Sequence, residues 1–241
     1  MIFRDYFASA ESRSRCYFGL TDETDKYFEY GFIHIYGIPE GLSVEEEERI
    51  YSGGSDKTVY LGEITGTLIL GTQMMADGED MLLLCDDMSA DLAYVASSFA
   101  AEGLIRHGLK VYYDIYYIYE LEMEKEFDDT ALKCEIIEKL PNILFGLYHV
   151  RPEYLAYYPL PLDSPDAKAL VPKHNVTLSA PGAQEAKSSI LVNDDHLDVL
   201  ADSRSLFSPY PVSAKNRKLW ELYESFGFGE VGKTRLLFKA V

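Results

Sequence analysis

Apolar and polar positions alternate along this chain with two different periods, and each period predicts its own elements. From Tyr27 to Ile38 the run Tyr-Phe-Glu-Tyr-Gly-Phe-Ile-His-Ile-Tyr-Gly-Ile is aromatic and β-branched, and Gly37, Pro39 and Gly41 close it, so a strand is predicted. The acidic run Glu45 to Glu48 reads as a solvated helical turn or loop. Thr58 to Gln73 predicts a long strand in which Gly62 and Gly66 mark a bend or bulge. Ala76 to Asp80 reads as a turn, and the short apolar run Met81 to Cys85 predicts a buried strand. A helix follows, with Asp87 or Ser89 as its cap, Met88, Leu92, Val95, Ala96 and Phe99 on its apolar face, and Gly103 just past its end.

Val111 to Met123, rich in Tyr and Ile, is the most strand-like segment of the chain. Asp128, Asp129 or Thr130 then begins a helix with Leu132, Ile136 and Leu140 at helical spacing, and Pro141 is expected to break or kink it. Leu155 to Tyr158 predicts a short strand. Segment 163–212, rich in Pro, Ser, Ala and Asp, reads as an extended connection with one short helix near 195–201. A last helix carries Leu219, Leu222, Tyr223 and Phe226 on one stripe, stops at Gly227, and leads to a closing strand Arg235 to Val241. This order of elements is a mixed α/β layout.

Charge narrows the classes of partner. The 241 residues carry a formal net charge of -18, from 40 acidic against 22 basic side chains. Such a field repels nucleic acid, phosphate ligands and anionic membranes, and suits a basic protein or a basic small molecule. The locally basic stretch is C-terminal: Lys215, Arg217, Lys218, Lys233, Arg235 and Lys239. Cys16, Cys85 and Cys134 lack short spacings and read as buried free thiols, and the five histidines are far apart, so no metal is expected. No segment approaches the roughly 20 apolar residues that span a bilayer, and the first residues lack a long apolar run. No membrane association and a cytoplasmic location are the expectations.

Three local motifs add a resemblance. Ile118-Tyr-Glu-Leu-Glu-Met-Glu-Lys-Glu-Phe127, Ala156-Tyr-Tyr-Pro-Leu-Pro161 and Leu222-Tyr223 to Gly227-Phe228 occur in an order that resembles the GCN5-related N-acetyltransferase superfamily. The resemblance covers residues 27–241 as a single domain, with 1–26 as an N-terminal extension and 163–212 as a poorly matching insertion. It implies a mixed, mostly antiparallel twisted sheet flanked by helices, with its central strand at about 111–123. It also implies acetyl-CoA as the cofactor, Tyr223 as the acid that protonates the leaving thiolate, and Glu120 or Glu122 as a general base for a substrate amine. Leu121, Met123, Asp128, Asp129 and Lys133 fall at the family's acyl-CoA-binding positions.

In working members an Arg/Gln-x-x-Gly-x-Gly/Ala loop offers backbone N–H groups to the pyrophosphate at a helix start, where glycines allow close approach. This chain has Asp128-Asp-Thr-Ala-Leu-Lys133 there. Both carboxylates are expected to cap the helix and to fill the anion site with negative charge. At about 4 Å and an effective dielectric near 20, each carboxylate–phosphate charge pair is unfavourable by several kcal/mol before screening. From 114 to 130, Asp114, Glu120, Glu122, Glu124, Glu126, Asp128 and Asp129 face a single Lys125. The expectation is therefore a protein without normal acyl-CoA binding, acting by protein binding through an acidic surface. A divergent acetyl-CoA-dependent N-acetyltransferase acting on a basic amine is the alternative. A third reading is an inhibitor that imitates nucleic acid, with Asp77, Glu79, Asp80, Asp86, Asp87 and Asp91 in its charge pattern.

Overall fold

The computed structural model describes residues 3–12, 25–52, 57–104, 112–159, 214–232, 234 and 236–241. In chain order these form β1 (Phe3–Ser12), β2 (Phe28–Pro39), α1 (Val44–Tyr51), β3 (Val59–Ile69), α2 (Gly71–Asp77), α3 (Met81–Met88), α4 (Ala90–Ala101), β4 (Ile115–Met123), α5 (Thr130–Tyr148), β5 (Tyr154–Tyr157), α6 (Ala214–Ser225), β6 (Gly229–Glu230) and β7 (Leu237–Ala240). A turn of 3-10 helix, Asp25–Tyr27, precedes β2. The strands make one seven-stranded sheet in the order β1-β2-β3-β4-β5-β7-β6. Only β4 and β5 run parallel; the other neighbours are antiparallel. A parallel pair needs a long crossover, and α5 supplies it. The fold is thus mixed α/β with a mostly antiparallel sheet, and β4 occupies its middle.

Helices cover both sides of the sheet and define two apolar layers. One joins Ile69, Ile115, Tyr117 and Ala156 of the strands to Met74, Met81, Leu84, Leu92, Val95 and Phe99 of α2, α3 and α4. The other joins Ile33, Ile64, Leu68, Tyr116, Ile118 and Leu155 to Ile136, Ile137, Leu140 and Leu144 of α5 and Tyr223 and Phe226 of α6. Alternation along β4 divides these layers, with Tyr116 and Ile118 on one side and Ile115 and Tyr117 on the other.

That alternation slips once. The β3–β4 register shifts between Thr65 and Gly66, whose partners are Glu120 and Ile118, so Tyr119 is an extra residue in β4. Tyr119 packs with the layer of α2–α4, whereas Leu121 and Met123 pack with the layer of α5 and α6. Gly66 sits beside the bulge, where a Cβ would lie 2.5 Å from the Tyr116 ring. A second bulge interrupts β2–β3 between Ile35 and Tyr36, next to Gly62. Both glycines therefore lie at register shifts of β3 against its neighbours, with the extra residue in β4 at Gly66 and in β3, as Leu61, at Gly62.

Several boundaries differ from the sequence pattern. Met81 to Cys85, patterned as a strand, is the first part of α3: the Asp80 carboxylate accepts from the Leu82 and Leu83 amides and starts a helix there. The strand predicted over Thr58 to Gln73 ends at Ile69, and Gly71 to Gln73 begin α2. Packed against Tyr112 and the Tyr113 carbonyl, Gly71 leaves no room for a side chain. β4 begins at Ile115, and residues 112–114 precede it without strand pairing. Pro141 does not end its helix. It forgoes one bond to the Ile137 carbonyl, but burial of Leu140, Pro141 and Leu144 carries α5 on to Tyr148. Ser89, and not Asp87, caps α4, its hydroxyl accepting from the Leu92 amide at 3.2 Å. Met88 stays in α3, on its exposed side.

Residues 3–12, within the stretch before residue 27, contribute β1 at the sheet edge. The closing strand is β7, shorter than Arg235 to Val241, and β6 is a two-residue partner for it. Segment 163–212, including the helix expected near 195–201, lies outside the described residues, as does Cys16. Cys85 is buried and free, whereas Cys134 is only half-buried.

Candidate functional site

β4 and β5 pair over four rungs, from Ile115 opposite Tyr154 to Ile118 opposite Tyr157. β5 then stops, while β4 runs on to Met123 with β3 as its described neighbour. Their pairing ends at Tyr157, the residue on which Tyr223 of α6 stacks.

The stripe of Leu219, Leu222, Tyr223 and Phe226 turns α6 toward the sheet, and Gly227, at φ 85°, ends the helix in the left-handed region. Lys239 Nζ of β7 donates to the Phe226 carbonyl at 2.8 Å and ties that end down. Tyr223 is thereby laid on Tyr157, ring centroids 3.6 Å apart, with Phe226 and Phe228 edge-on at 5.5 and 5.2 Å. It is 2% exposed.

The Tyr223 hydroxyl is buried and has no hydrogen-bond partner among the described residues, a property it shares with Tyr116 and Tyr117. Burial pushes its pKa well above the ordinary tyrosine value, and the nearby Tyr157, the charge of Glu120 and Tyr116 push in the same direction. The pKa of Tyr157 is raised by its own burial and then by Glu120. Both phenols therefore stay protonated, as donors and not as bases.

Glu120, two residues past the last β4–β5 rung, is exposed. Tyr223 of α6 and Tyr157 of β5 are thus in contact, whereas Glu120 of β4 acts on them through its charge. Glu122 is exposed and lies across from Glu63 of β3. Leu121 and Met123 turn into the α5–α6 layer as packing residues.

The start of α5 holds the remaining predicted positions. Asp129 is the N-cap residue, with φ -114° and ψ 133°, yet its carboxylate makes no capping bond. Asp128 also does not cap: its carboxylate pairs with Lys133 Nζ. This corrects the expectation of two capping carboxylates, because the ion pair with a cation on the first turn of α5 holds Asp128 away from the amides. It also engages Lys133, itself one of the predicted positions. Glu124, Glu126, Asp128 and Asp129 are exposed around this helix start, and no glycine opens the backbone. A diphosphate placed here would meet carboxylates and a lysine already paired, so these residues do not fit the pyrophosphate of acyl-CoA.

Other predicted charges are in part used by the fold. Asp77 pairs with Lys26 at 3.1 Å and accepts from the Tyr27 hydroxyl at 2.8 Å; Asp80 caps α3; Asp91 is buried. Glu79, Asp86 and Asp87 are exposed. Of the C-terminal cations, Arg217 and Lys218 are exposed on α6, Lys239 is bound to the end of α6, and Lys233 and Arg235 lie outside the described residues.

Tyr157 was not distinguishable in the sequence as a site residue. Its importance comes from a contact with a residue far along the chain, and only its place beside Pro159 hinted at the end of β5. Among the described residues no group of His, Cys, Asp or Glu is arranged to hold a metal ion, and no described helix is long and apolar enough to cross a membrane. The chain matches no protein-family model, no curated protein and no solved structure.

Proposed function

We propose that this chain folds as the GCN5-related N-acetyltransferases do, does not hold acyl-CoA at the usual helix start, and acts by binding a basic protein or basic small molecule through its acidic surface. The fold assignment is supported by β4 and β5 as the one parallel pair among the described strands, with α5 connecting them. It is supported further by the end of their pairing at Ile118 and Tyr157, where Tyr223 packs.

One observation carries the loss of acyl-CoA binding: Asp128 and Asp129 stand at the start of α5, and the adjacent Lys133 is paired to Asp128. The net charge of -18 favours a cationic partner and disfavours nucleic acid. Isothermal titration with acetyl-CoA tests this reading. No binding heat is expected up to millimolar ligand, and low-micromolar affinity would overturn it.

A second reading, a divergent N-acetyltransferase for a basic amine, is favoured by the unpartnered Tyr223 hydroxyl at the end of the β4–β5 pairing. It requires turnover of acetyl-CoA with an amine acceptor, and loss of that turnover in a folded Tyr223→Phe variant.

A further inference from the structure

The side of the sheet that carries α2, α3 and α4 is only half covered by them. Their layer takes in Phe28, Ile69, Ile115 and Tyr117, at one end of the strands. Toward the other end, Phe7, Tyr36 and Tyr60 are cross-strand neighbours on β1, β2 and β3, and they belong to neither apolar layer. Phe7 stacks on Tyr36 at 5.0 Å, and Tyr60 meets Tyr36 edge-on at 5.7 Å.

Carboxylates stand beside this row of rings. His34, Glu63 and Glu122 are successive cross-strand partners on β2, β3 and β4. The His34 imidazole lies 3.4 Å from the Glu63 carboxylate and 3.8 Å from that of Glu11. Phe7 is 36% exposed and the Glu11 side chain 64%. β2, β3 and β4 contain no lysine or arginine, so these strands bring no permanent cation to the acidic row.

We infer that this half-face binds an arginine-rich segment of a protein partner. The inference rests on the reading above that the partner is basic, and it adds a place and a chemistry. A guanidinium is planar and weakly hydrated: it stacks on aromatic rings while its N–H groups donate to carboxylates beside them. Phe7, Tyr36 and Tyr60 supply the rings; Glu11, Glu63 and Glu122 supply the acceptors. A lysine ammonium, compact and strongly hydrated, satisfies the carboxylates but gains less from the rings.

The test is fluorescence anisotropy with a short labelled arginine-rich peptide and its lysine counterpart, on the full chain. The arginine peptide is expected to bind more tightly than the lysine peptide. Glu11→Lys with Glu122→Lys is expected to weaken the arginine peptide by about tenfold or more, whereas Glu138→Lys with Glu224→Lys, the same charge change on α5 and α6, weakens it by less than about threefold. Tyr36→Leu is expected to abolish the preference for arginine. Circular dichroism checks that each variant is folded, and Glu11→Gln with Glu122→Gln replaces the reversal if it is not. Equal losses from the two charge pairs, or equal binding of the two peptides, would overturn the half-face while leaving a basic partner in place. Absence of any binding to the native chain would overturn both.

Discussion

Tyr223 of α6 and Tyr157 of β5 stack face to face, their ring centroids 3.6 Å apart and their planes 6° from parallel. The stack lies at the end of the β4–β5 pairing, and the Tyr223 hydroxyl within it has no partner among the described residues. Tyr223→Phe keeps the rings and removes an unpaired polar atom, so stability is expected to stay level or to rise by up to about 1 kcal/mol. Tyr223→Ala leaves a cavity and is expected to lose about 3–5 kcal/mol. Denaturant unfolding measures both, and a loss above about 1 kcal/mol in the Phe variant would mean that the hydroxyl is bonded.

Gly66 and Gly146 should respond to alanine in opposite ways. At Gly66 the new Cβ would lie 2.5 Å from the Tyr116 ring and hydroxyl and 2.7 Å from the Tyr117 carbonyl, and the backbone atom has little freedom to yield. A loss of about 1–3 kcal/mol is expected. At Gly146, inside α5, nothing lies within 4 Å, and alanine is expected to stabilise by about 0.5–1 kcal/mol. Thermal melting orders the two variants around the native protein; the reverse order would contradict the close approach at the bulge.

Asp80 starts α3 by accepting from the Leu82 amide at 2.9 Å and the Leu83 amide at 3.4 Å. Asp80→Ala is expected to lose about 1 kcal/mol, and Asp80→Asn, which keeps an acceptor, only a few tenths. Equal losses in urea unfolding would point to the charge of Asp80, and not to its acceptor geometry.

Alkaline pH should unfold the chain cooperatively. Burial, before any other cause, raises Tyr60 and Tyr119 to about 12, and it raises Tyr116, Tyr117, Tyr157 and Tyr223 as well. An unfolded tyrosine releases its proton near 10, so above that pH the folded state binds more protons than the unfolded one. Stability is then complete below about pH 10 and falls as pH rises through about 12. Tyrosinate absorbance and circular dichroism are expected to change together. Stepwise ionisation of all tyrosines with unchanged dichroism would refute this.

Where local chemistry decides the structure, it could be read directly. Ser89 with the apolar face of α4, and the Leu219–Phe226 stripe ending at Gly227, needed no distant partner to be recognised. Met81 to Cys85 has no period to separate strand from helix; Asp80 was the deciding signal, and it lies outside the run itself. β6 is two residues long and exists only through pairing with β7. The candidate site divides the same way. Residues at the start of α5 and on β4 were placed by motif order, but the Tyr157–Tyr223 stack and the Asp128–Lys133 ion pair depend on how side chains turn. The half-covered sheet side depends on which ends of the strands α2–α4 reach, a matter of three-dimensional extent that no window of sequence contains.

The extra residue in β4 has a consequence for change in this protein over time. Strand sides are kept by parity, and Tyr119 is the odd member that resets it. Were Tyr119 paired as an ordinary residue, Leu121 and Met123 would turn to the side now held by Glu120 and Glu122 and both carboxylates would face α5, whereas deleting Tyr119 would remove the bulge and leave each of these side chains on its present side. The position of the two acids is therefore a matter of counting as well as of residue type. The bulge is thus a point at which the loss of a single codon leaves both sides of the strand in place.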